Sequence, residues 1–267
     1  MVPKPYSPPC PPRNITNAGY VRKVREDFLR RRPRNLEFLL RKRYEWMNPY
    51  TDGKASVVEL GSGLGLSREF IRNANLLLTD LAPYPWIDRR VDAMDLPFEE
   101  ESVDAVICSH LLHHLDFPAA FLAKVRRVLK PDGVVLIQEL ETSFLLRLLQ
   151  RIMQNEGWSY DVDVFDGCAS CLPSSGDPWV ANTAIPSLLF SSRAAFESRV
   201  KGFSLERNEL CEGLIFPLSG GVLARAPHLE LPLRVLELLD GLDRVLISRF
   251  PGVFALGRRV VLRKKTA

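Results

Sequence analysis

The stretch that decides the fold is Glu59-Leu60-Gly61-Ser62-Gly63-Leu64-Gly65. It follows the apolar run 55–58 and precedes residues 67–73, which we expect to form a helix. A strand, a glycine-rich turn and a helix in this order form the phosphate or nucleoside cradle of open α/β sheets. A dinucleotide turn needs G-x-G-x-x-G, and Leu66 occupies the position of its third glycine. The spacing therefore disfavours a dinucleotide ligand.

The residues after the turn continue the pattern of an α/β sheet. Leu76–Asp80 is predicted to be the second strand, and Asp80 lies 19 residues beyond Gly61. An acid at about this distance commonly binds ribose hydroxyls. A fourth strand is predicted at 102–108 and a fifth after the turn at 130–133. The alternation of strands and helices over residues 55–140 predicts a parallel sheet with right-handed crossovers.

Five motifs in this order resemble those of the class I S-adenosylmethionine-dependent methyltransferases, of the type 11-like group. They are E-x-G-x-G-x-G at 59–65, the acid Asp80, a D-A-x-x-L-P-F segment at 92–98, an "HHL" segment at 109–115, and an LKPGG-like turn at 129–133 with Asp132 in place of the first glycine. The resemblance implies a Rossmann-like α/β fold. Its seven-stranded, mostly parallel sheet has helices on both faces and is closed by an antiparallel pair of strands.

The same resemblance implies a cofactor and the residues that bind it. The cofactor is S-adenosyl-L-methionine, and the product is S-adenosyl-L-homocysteine. The implied binding residues are Glu59, Gly61, Gly63, Gly65, Asp80, Leu81, Asp92, Ala93, Met94 and Ser109. Asp80 would accept from the ribose hydroxyls and Asp92 from the adenine amine. Between them, Pro83 and Pro85 disfavour a helix, and Trp86 either packs near the adenine or only fills the space of that missing helix.

Candidate catalytic residues follow the fourth and fifth predicted strands. A hydroxyl acceptor benefits from a base that works near neutral pH, and histidine suits this role. The candidates are His110, then His114, then Glu139, although many members of the family need no base. We expect no metal, because Cys168 and Cys171 form a lone CxxC and a zinc site needs two more ligands. His110 and His114 could in principle supply them.

Charge and composition suggest how the chain is organised. The net charge is +4, with twelve Lys/Arg and four Asp/Glu among residues 1–50. The basic helical arm at 20–47 could touch nucleic acid, anionic lipid or a phosphorylated substrate, but a solvated helix face is the simpler explanation. Six prolines in the first dozen residues predict an extended, mobile lead-in. No apolar run of 18 residues, no apolar leader and no disulfide framework are found, which favours a cytoplasmic protein without a membrane span.

The expected division places the lead-in and arm at 1–50 and the methyltransferase domain at 51–267. Within the domain, 55–140 is the cofactor-binding core, 141–200 a substrate lid, and 201–267 the closing strands with an inserted helix. Helices are predicted at 142–154, from Ser191 or Ser192 to Val200, and at 231–250, and strands at 203–217 and 254–264. The leucine stripe of the last helix is more typical of a core or of a homodimer face than of a membrane anchor.

Three functions stay open from the sequence. The first is methyl transfer to a small-molecule or saccharide-like acceptor at oxygen, since 156–158, 177–179 and 219–221 resemble methyltransferases of bacterial glycan loci. The second is nucleic-acid methylation guided by the basic arm. It is disfavoured for exocyclic amines because 107–110 lacks the [DNS]-P-P-[YFW] motif. The third is a non-catalytic cofactor-binding protein, against which the intact glycine turn and Asp80 argue.

Overall fold

The computed structural model of the chain describes residues 2–8, 18–154, 156–173, 180–223 and 226–266. These residues form a seven-stranded sheet in the order β3-β2-β1-β4-β5-β7-β6. The strands are β1 Val57–Leu60, β2 Leu76–Asp80, β3 Arg89–Arg90, β4 Val103–Ser109, β5 Leu129–Leu140, β6 Phe203–Cys211 and β7 Gly257–Lys264. All neighbours are parallel except β7, which runs antiparallel to β5 and β6. The predicted fold class, including its antiparallel closing pair, is confirmed.

Helices cover both faces of this sheet. In the described ranges the α-helices are α1 Ala18–Arg31, α2 Arg34–Tyr44, α3 Asn48–Thr51, α4 Pro118–Val128, α5 Phe144–Met153, α6 Ile185–Phe190, α7 Arg193–Arg199, α8 Ile215–Leu218, α9 Leu233–Arg249 and α10 Pro251–Phe254. None of these helices has both the length and the apolar character needed to cross a bilayer.

Alternating strand residues enter two cores on opposite faces of the sheet. Val57 and Ile107 belong to one core, together with side chains of α1 and α2. Val58 and Cys108 belong to the other, together with side chains of α4, α6 and α7. This follows from the period of two in a strand, because successive side chains point to opposite faces. The basic arm is therefore helical, as predicted, and its apolar side packs on the domain.

The order of the strands creates a crevice between β1 and β4. These two strands are neighbours in the sheet, although β2 and β3 separate them in the chain. Ligands of open α/β sheets bind where the strand order reverses in this way, beyond the carboxyl ends of the strands. Gly61 follows β1 and His110 follows β4, so both flank the crevice.

The helix predicted at 67–73 is wrong. The chain makes one 3₁₀ turn at Leu66–Glu69 and then runs without regular structure to Leu76, where β2 begins. Too few residues remain for a helix that returns along the strand. On this face α1 and α2 cover the sheet instead, and their core includes Leu66 and Phe70.

Two predicted strand limits also need correction. The sixth strand ends at Cys211 rather than at Pro217, because the chain turns at Glu212, where φ is +54°. The seventh begins at Gly257, since residues 251–254 form α10. The three later helices that the sequence predicts are present as α5, α7 and α9, with Ser143 and Ser192 as side-chain N-caps of the first two.

The described part of the lead-in docks against Trp158. Tyr6 and Trp158 exchange two backbone hydrogen bonds of 2.9 Å, and their rings lie 4.8 Å apart. Trp158 Nε1 donates to the Lys4 carbonyl at 3.0 Å. A Cβ at Gly157 would collide with the Tyr6 carbonyl oxygen, so this approach requires glycine. Residues 4–6 therefore contact the domain, and the expected mobility of the lead-in stays a prediction; residues 9–12 lie outside the described ranges.

Candidate active site

The glycine turn leaves β1 through three left-handed residues. Gly61, Gly63 and Gly65 have φ values of +68°, +50° and +59°, which are unfavourable for other L-residues. A Cβ would lie 2.9 Å from Leu111 Cδ1 at Gly61 and 2.8 Å from Trp86 Cδ1 at Gly65. At Gly63 nothing would lie within 4 Å of it. The turn is tightly packed at both ends and open in the middle, where a ligand could approach the backbone.

Two side chains whose contacts the sequence did not predict hold the carbonyls of this turn. Trp86 Nε1 donates to the Gly63 oxygen at 2.8 Å, and Arg25 Nη1 donates to the Leu64 oxygen at 2.6 Å. The Arg25 guanidinium lies 5.1 Å from the Trp86 ring centroid, and Trp86 stacks on Tyr84. Trp86 therefore does more than fill the space of the missing helix between β2 and β3, because it anchors the glycine turn.

Asp80 faces the glycine turn from the end of β2. Its Oδ2 accepts from Gly63 N and its Oδ1 from Ala82 N, both at 2.8 Å. Burial raises the pKa of the Asp80 carboxyl above its usual value. Each carboxylate oxygen can accept more than one hydrogen bond. The partly buried group therefore keeps acceptor capacity for hydroxyls while it shapes the turn.

Glu59 lies on β1, beneath the glycine turn. Its side chain is buried and accepts a hydrogen bond from Ser67 Oγ. Burial raises the pKa of Glu59 to about 7. The carboxyl therefore contacts the 3₁₀ turn that follows the glycines, and its geometry is that of a residue that orients the loop.

The predicted adenine-binding segment begins beside Asp80, because Val91 N donates to the Asp80 carbonyl at 2.9 Å. Asp92 Oδ1 accepts from Met94 N at 2.7 Å and so closes a tight turn. Asp92 is exposed, whereas Ala93 and Met94 are half-buried against the core. Leu81, after β2, is exposed. The residues predicted to bind the adenine side of the cofactor therefore lie together at the ends of β2 and β3.

His110 has an unusual backbone and an unpaired ring nitrogen. Its φ is +55°, in a region that non-glycine residues rarely occupy and that clusters at functional sites. Its N–H donates to the Gln138 carbonyl at 2.8 Å. Its Nε2 is buried and has no hydrogen-bond partner among the described residues. Burial, followed by the charge of Arg43, holds the pKa of His110 well below its usual value. This environment favours the neutral form of the ring.

Glu139 and His114, the other two catalytic candidates, are engaged in local contacts. Glu139 is fully buried; its Oε1 accepts from Leu112 N, and its Oε2 pairs with His113 Nδ1, both at 2.6 Å. Burial opposes the charged form of His113, but Glu139 outweighs this and raises the pKa of His113. Burial and then the charge of His113 lower the pKa of His114 to about 4, and its Nδ1 lies 3.0 Å from a backbone carbonyl oxygen. These contacts fix the turn after β4.

The histidine cluster also has the composition of a metal site. Ligand atoms of His110, His113 and Glu139 lie within 4.8 Å of one another, and a second group contains His113, His114 and Glu156. The hydrogen bond between His113 and Glu139 accounts for part of this closeness. Neither cysteine of the CxxC pair belongs to a group of possible ligands in the described ranges. The absence of a metal stays a prediction.

A buried ion pair behind His110 was missed from the sequence. Arg43 of α2 donates to both carboxylate oxygens of Glu212 at 2.9 and 2.6 Å, and each side chain is only 4% exposed. Gln138 Nε2 donates to Glu212 Oε1 at 2.8 Å, and Tyr44 hydrogen-bonds Ser109. The paired residues are 169 positions apart, so no local pattern could have revealed the contact. The pair joins α2 to the ends of β5 and β6.

Residues 58–137 match the family model described as a methyltransferase domain. An uncharacterized chloroplastic methyltransferase of Arabidopsis thaliana is 30% identical over 134 residues, which are 47% of this chain and 36% of that protein. The chain spans less than half the length of the curated relatives it matches.

Solved structures agree with the fold. An S-adenosylmethionine-dependent methyltransferase from Archaeoglobus fulgidus superposes with a TM-score of 0.50 at 17% identity, covering 90% of this chain and 99% of that one. A Haloferax volcanii protein solved in complex with the Trm112 methyltransferase activator has a TM-score of 0.50 at 15% identity, covering 93% and 97%. At these identities the likeness shows the fold alone. Taken together, the family match, the glycine turn and the shared fold identify residues 58–137 as a methyltransferase domain within a class I, S-adenosylmethionine-dependent methyltransferase fold.

Proposed function

We propose that the chain transfers a methyl group from S-adenosylmethionine to an oxygen of a small-molecule or saccharide-like acceptor. The bound cofactor supplies a methyl group on a positively charged sulfur that is already a good leaving group. The task left to the protein is to align the acceptor and to exclude water. The observation that carries the proposal of an oxygen acceptor is the buried Nε2 of His110, which has no hydrogen-bond partner within the described ranges.

The residues around the crevice suit this cofactor. The open space at Gly63 would admit its amino-acid end close to the backbone. Asp80, with acceptor capacity to spare, would bind the ribose hydroxyls. Asp92 would accept from the adenine amine, with Ala93 and Met94 against the ring.

His110 would hold the acceptor hydroxyl and take its proton. A neutral imidazole nitrogen accepts a hydrogen bond from the hydroxyl and points an oxygen lone pair at the methyl carbon. As the acceptor oxygen is methylated, with the cofactor sulfur as leaving group, His110 would take the hydroxyl proton on Nε2. An imidazole with a low pKa is a weak base. The oxygen becomes strongly acidic as the C–O bond forms, so a weak base is sufficient.

The segment 141–200 would serve as the lid over the acceptor. It begins where β5 ends, and Tyr160 Oη donates to the Thr142 carbonyl at 3.2 Å. Its aromatic and acidic side chains at 158–166 are suited to a ligand rich in hydroxyl groups. The motif at 177–179 that suggested a saccharide lies outside the described residues.

Methylation of nucleic acid is the weaker alternative, because much of the basic arm is occupied within the chain. Arg25 binds the glycine turn, Arg32 pairs with Glu69, and Arg43 pairs with Glu212. Phosphate contacts by a nucleic-acid enzyme require such side chains to be available. Salt-sensitive retention on a polyanion would favour this alternative, and cofactor binding without turnover on any acceptor would favour a non-catalytic protein.

The cofactor assignment is tested by isothermal titration with S-adenosylmethionine, S-adenosylhomocysteine and NAD. Saturable binding is expected for the first two and none for NAD. Asp80→Ala should weaken binding by about tenfold or more, which corresponds to about 1.4 kcal/mol. The matched control is Asp95→Ala, an exposed acid of the neighbouring turn. Unchanged affinity in Asp80→Ala would contradict the ribose role.

The role of His110 is tested with an acceptor found in a screen of sugars and small phenols. His110→Ala should lower kcat on the order of 100-fold and leave the Kd for the cofactor unchanged. His228→Ala, which alters an exposed histidine outside the crevice, is the control. Full activity of His110→Ala would remove His110 from the reaction.

A further inference from the structure

The exposed apolar surface of the chain is concentrated on three adjacent helices. Thirteen large apolar side chains of the described residues are exposed, and ten of them lie on α5, α9, α10 or their junction at Phe250. Because α10 packs against both α5 and α9, these residues form one surface, called here the apolar face. Contiguous exposed apolar surface on this scale marks a site of interaction.

The rotation of α9 is fixed by its inner side. Leu236 and Ile247 are buried there, and so is the carboxylate of Asp243. Asp243 accepts hydrogen bonds of 3.2, 2.7 and 3.1 Å from the backbone N–H groups of residues 213–215 at the start of α8. The helix therefore cannot turn its outer side inward without losing these contacts.

The outer side of α9 is apolar. Val235, Leu238, Leu242 and Val245 recur at helical spacing, and Leu238 is 75% exposed. This reverses the usual arrangement of a surface helix, in which the outer side is polar. A polar residue is buried on one side of α9 while four apolar residues face outward on the other.

The same character continues onto α5 and α10. Phe144, Leu148 and Ile152 follow one another at intervals of four residues along α5, and Ile152 is 70% exposed. Phe250 and Val253 are exposed at the start of α10. The apolar face thus has aromatic as well as aliphatic side chains, the composition of helices that lie in a membrane interface.

The charged groups on these helices are mainly basic where they are exposed. Arg151, Arg234, Arg244 and Arg249 are exposed, and Glu237 is the exposed acid of these described helices. The remaining acids are neutralised or buried, because Asp240 pairs with Lys42 at 2.6 Å and Asp243 binds α8. An apolar surface with a basic rim complements the acyl boundary and the phosphates of an anionic leaflet.

A second copy of the chain fits this surface less well. A two-fold interface joins the same patch from both copies, so the exposed arginines of both copies would be gathered at one interface. Within the described parts of α5, α9 and α10, Glu237 alone is exposed to offset them. Like charges brought together across an interface disfavour it.

We propose that α5, α9 and α10 dock on a bilayer leaflet that contains anionic phospholipid. The apolar side chains enter the boundary between headgroups and acyl chains, and the arginines contact the phosphates. The docking holds the chain at a membrane surface. It does not depend on the identity of the methyl acceptor, and its test uses binding rather than activity.

The test is co-sedimentation of the full chain with lipid vesicles. The protein should pellet with vesicles of phosphatidylcholine mixed with phosphatidylglycerol, pellet less with phosphatidylcholine alone, and be released by high salt. Leu238→Ser with Val245→Ser should abolish pelleting, and Arg234→Gln with Arg249→Gln should remove its salt dependence. The matched controls are Val2→Ser and the pair Arg22→Gln with Lys124→Gln, all exposed and outside the three helices. Thermal unfolding shows whether each variant is folded.

Three results would overturn the proposal. The first is a folded wild-type chain that stays in the supernatant with the mixed vesicles. The second is a dimer in light scattering that Leu238→Ser with Val245→Ser converts to monomer, because the apolar face would then bind a second copy. The third is pelleting that survives in all folded variants of the apolar face, which would exclude it as the docking surface.

Discussion

Replacing Glu59 by glutamine should abolish a pH-dependent loss of stability that arises at the base of the glycine turn. The Glu59 side chain is buried on β1, and Ser67 Oγ donates to it. Burial raises the pKa of the carboxyl from 4.5 to about 7. The folded chain therefore holds a proton that the unfolded chain has already released between these two pH values.

The sign and the size of the effect on stability follow from the difference between the pKa of Glu59 in the folded and in the unfolded chain. Because the folded state binds the proton more tightly, the free energy of unfolding falls as pH rises from about 4.5 to about 7, and it is constant for this group above that. Each pKa unit corresponds to about 1.4 kcal/mol, so the full effect is about 3 kcal/mol. Glutamine keeps an acceptor for Ser67 and never ionises. Glu59→Gln should therefore gain about 3 kcal/mol relative to the wild type between pH 4.5 and pH 8.

Urea titrations followed by tryptophan fluorescence at several pH values measure this directly. The control is Glu99→Gln, which alters an exposed glutamate and should leave the pH dependence of the wild type intact. A constant difference between Glu59→Gln and wild type at every pH would refute the reasoning, because it would mean that Glu59 titrates alike in the folded and unfolded chain.

Two further perturbations test other contacts. Glu212→Gln should lower the free energy of unfolding by about 3–5 kcal/mol, since it leaves the Arg43 charge buried and unpaired. Replacing both Arg43 and Glu212 by apolar residues should cost less. Equal losses of stability for the single and the double variant in urea titrations would show that Arg43 and Glu212 are not coupled. Gly65→Ala should be more destabilising than Gly63→Ala, because both incur the left-handed penalty of about 1–2 kcal/mol but only Gly65 meets Trp86. Equal unfolding midpoints for the two alanine variants would show that the Trp86 side chain moves away from the added methyl group without loss of stability.

The parts of the fold that could be predicted carry local signals. Leu76–Asp80 was predicted at the bounds that β2 has, because an apolar run between polar turns fixes both ends. Ser192 was one of the two serines predicted to start a helix, and its hydroxyl accepts from the backbone N–H group three residues on. Asp132 stands where the family has glycine and keeps a φ of +59°, which aspartate tolerates better than most residues.

The parts that could not be predicted depend on distant contacts. The helix after the glycine turn is missing because α1 and α2, from earlier in the chain, cover that face of the sheet. The Tyr6–Trp158 pairing and the Arg43–Glu212 pair join segments more than 150 residues apart. Among the catalytic candidates, the sequence could not reveal that Glu139 hydrogen-bonds His113 and Leu112. Nor could it reveal that His110 Nε2 has no partner in the part of the chain that the structure describes.

The two side chains that hold the glycine turn have a thermodynamic consequence. Trp86 and Arg25 bind the carbonyls of Gly63 and Leu64, so the turn is preorganised before any ligand arrives. Ordering the backbone of one residue costs about 1–2 kcal/mol of free energy through lost entropy. In this turn the loss occurs when the chain folds and not when the ligand binds. Loosening either anchor should therefore appear in calorimetry as a more unfavourable entropy of cofactor binding. The affinity of the site therefore depends partly on residues that order the turn during folding, before the ligand binds.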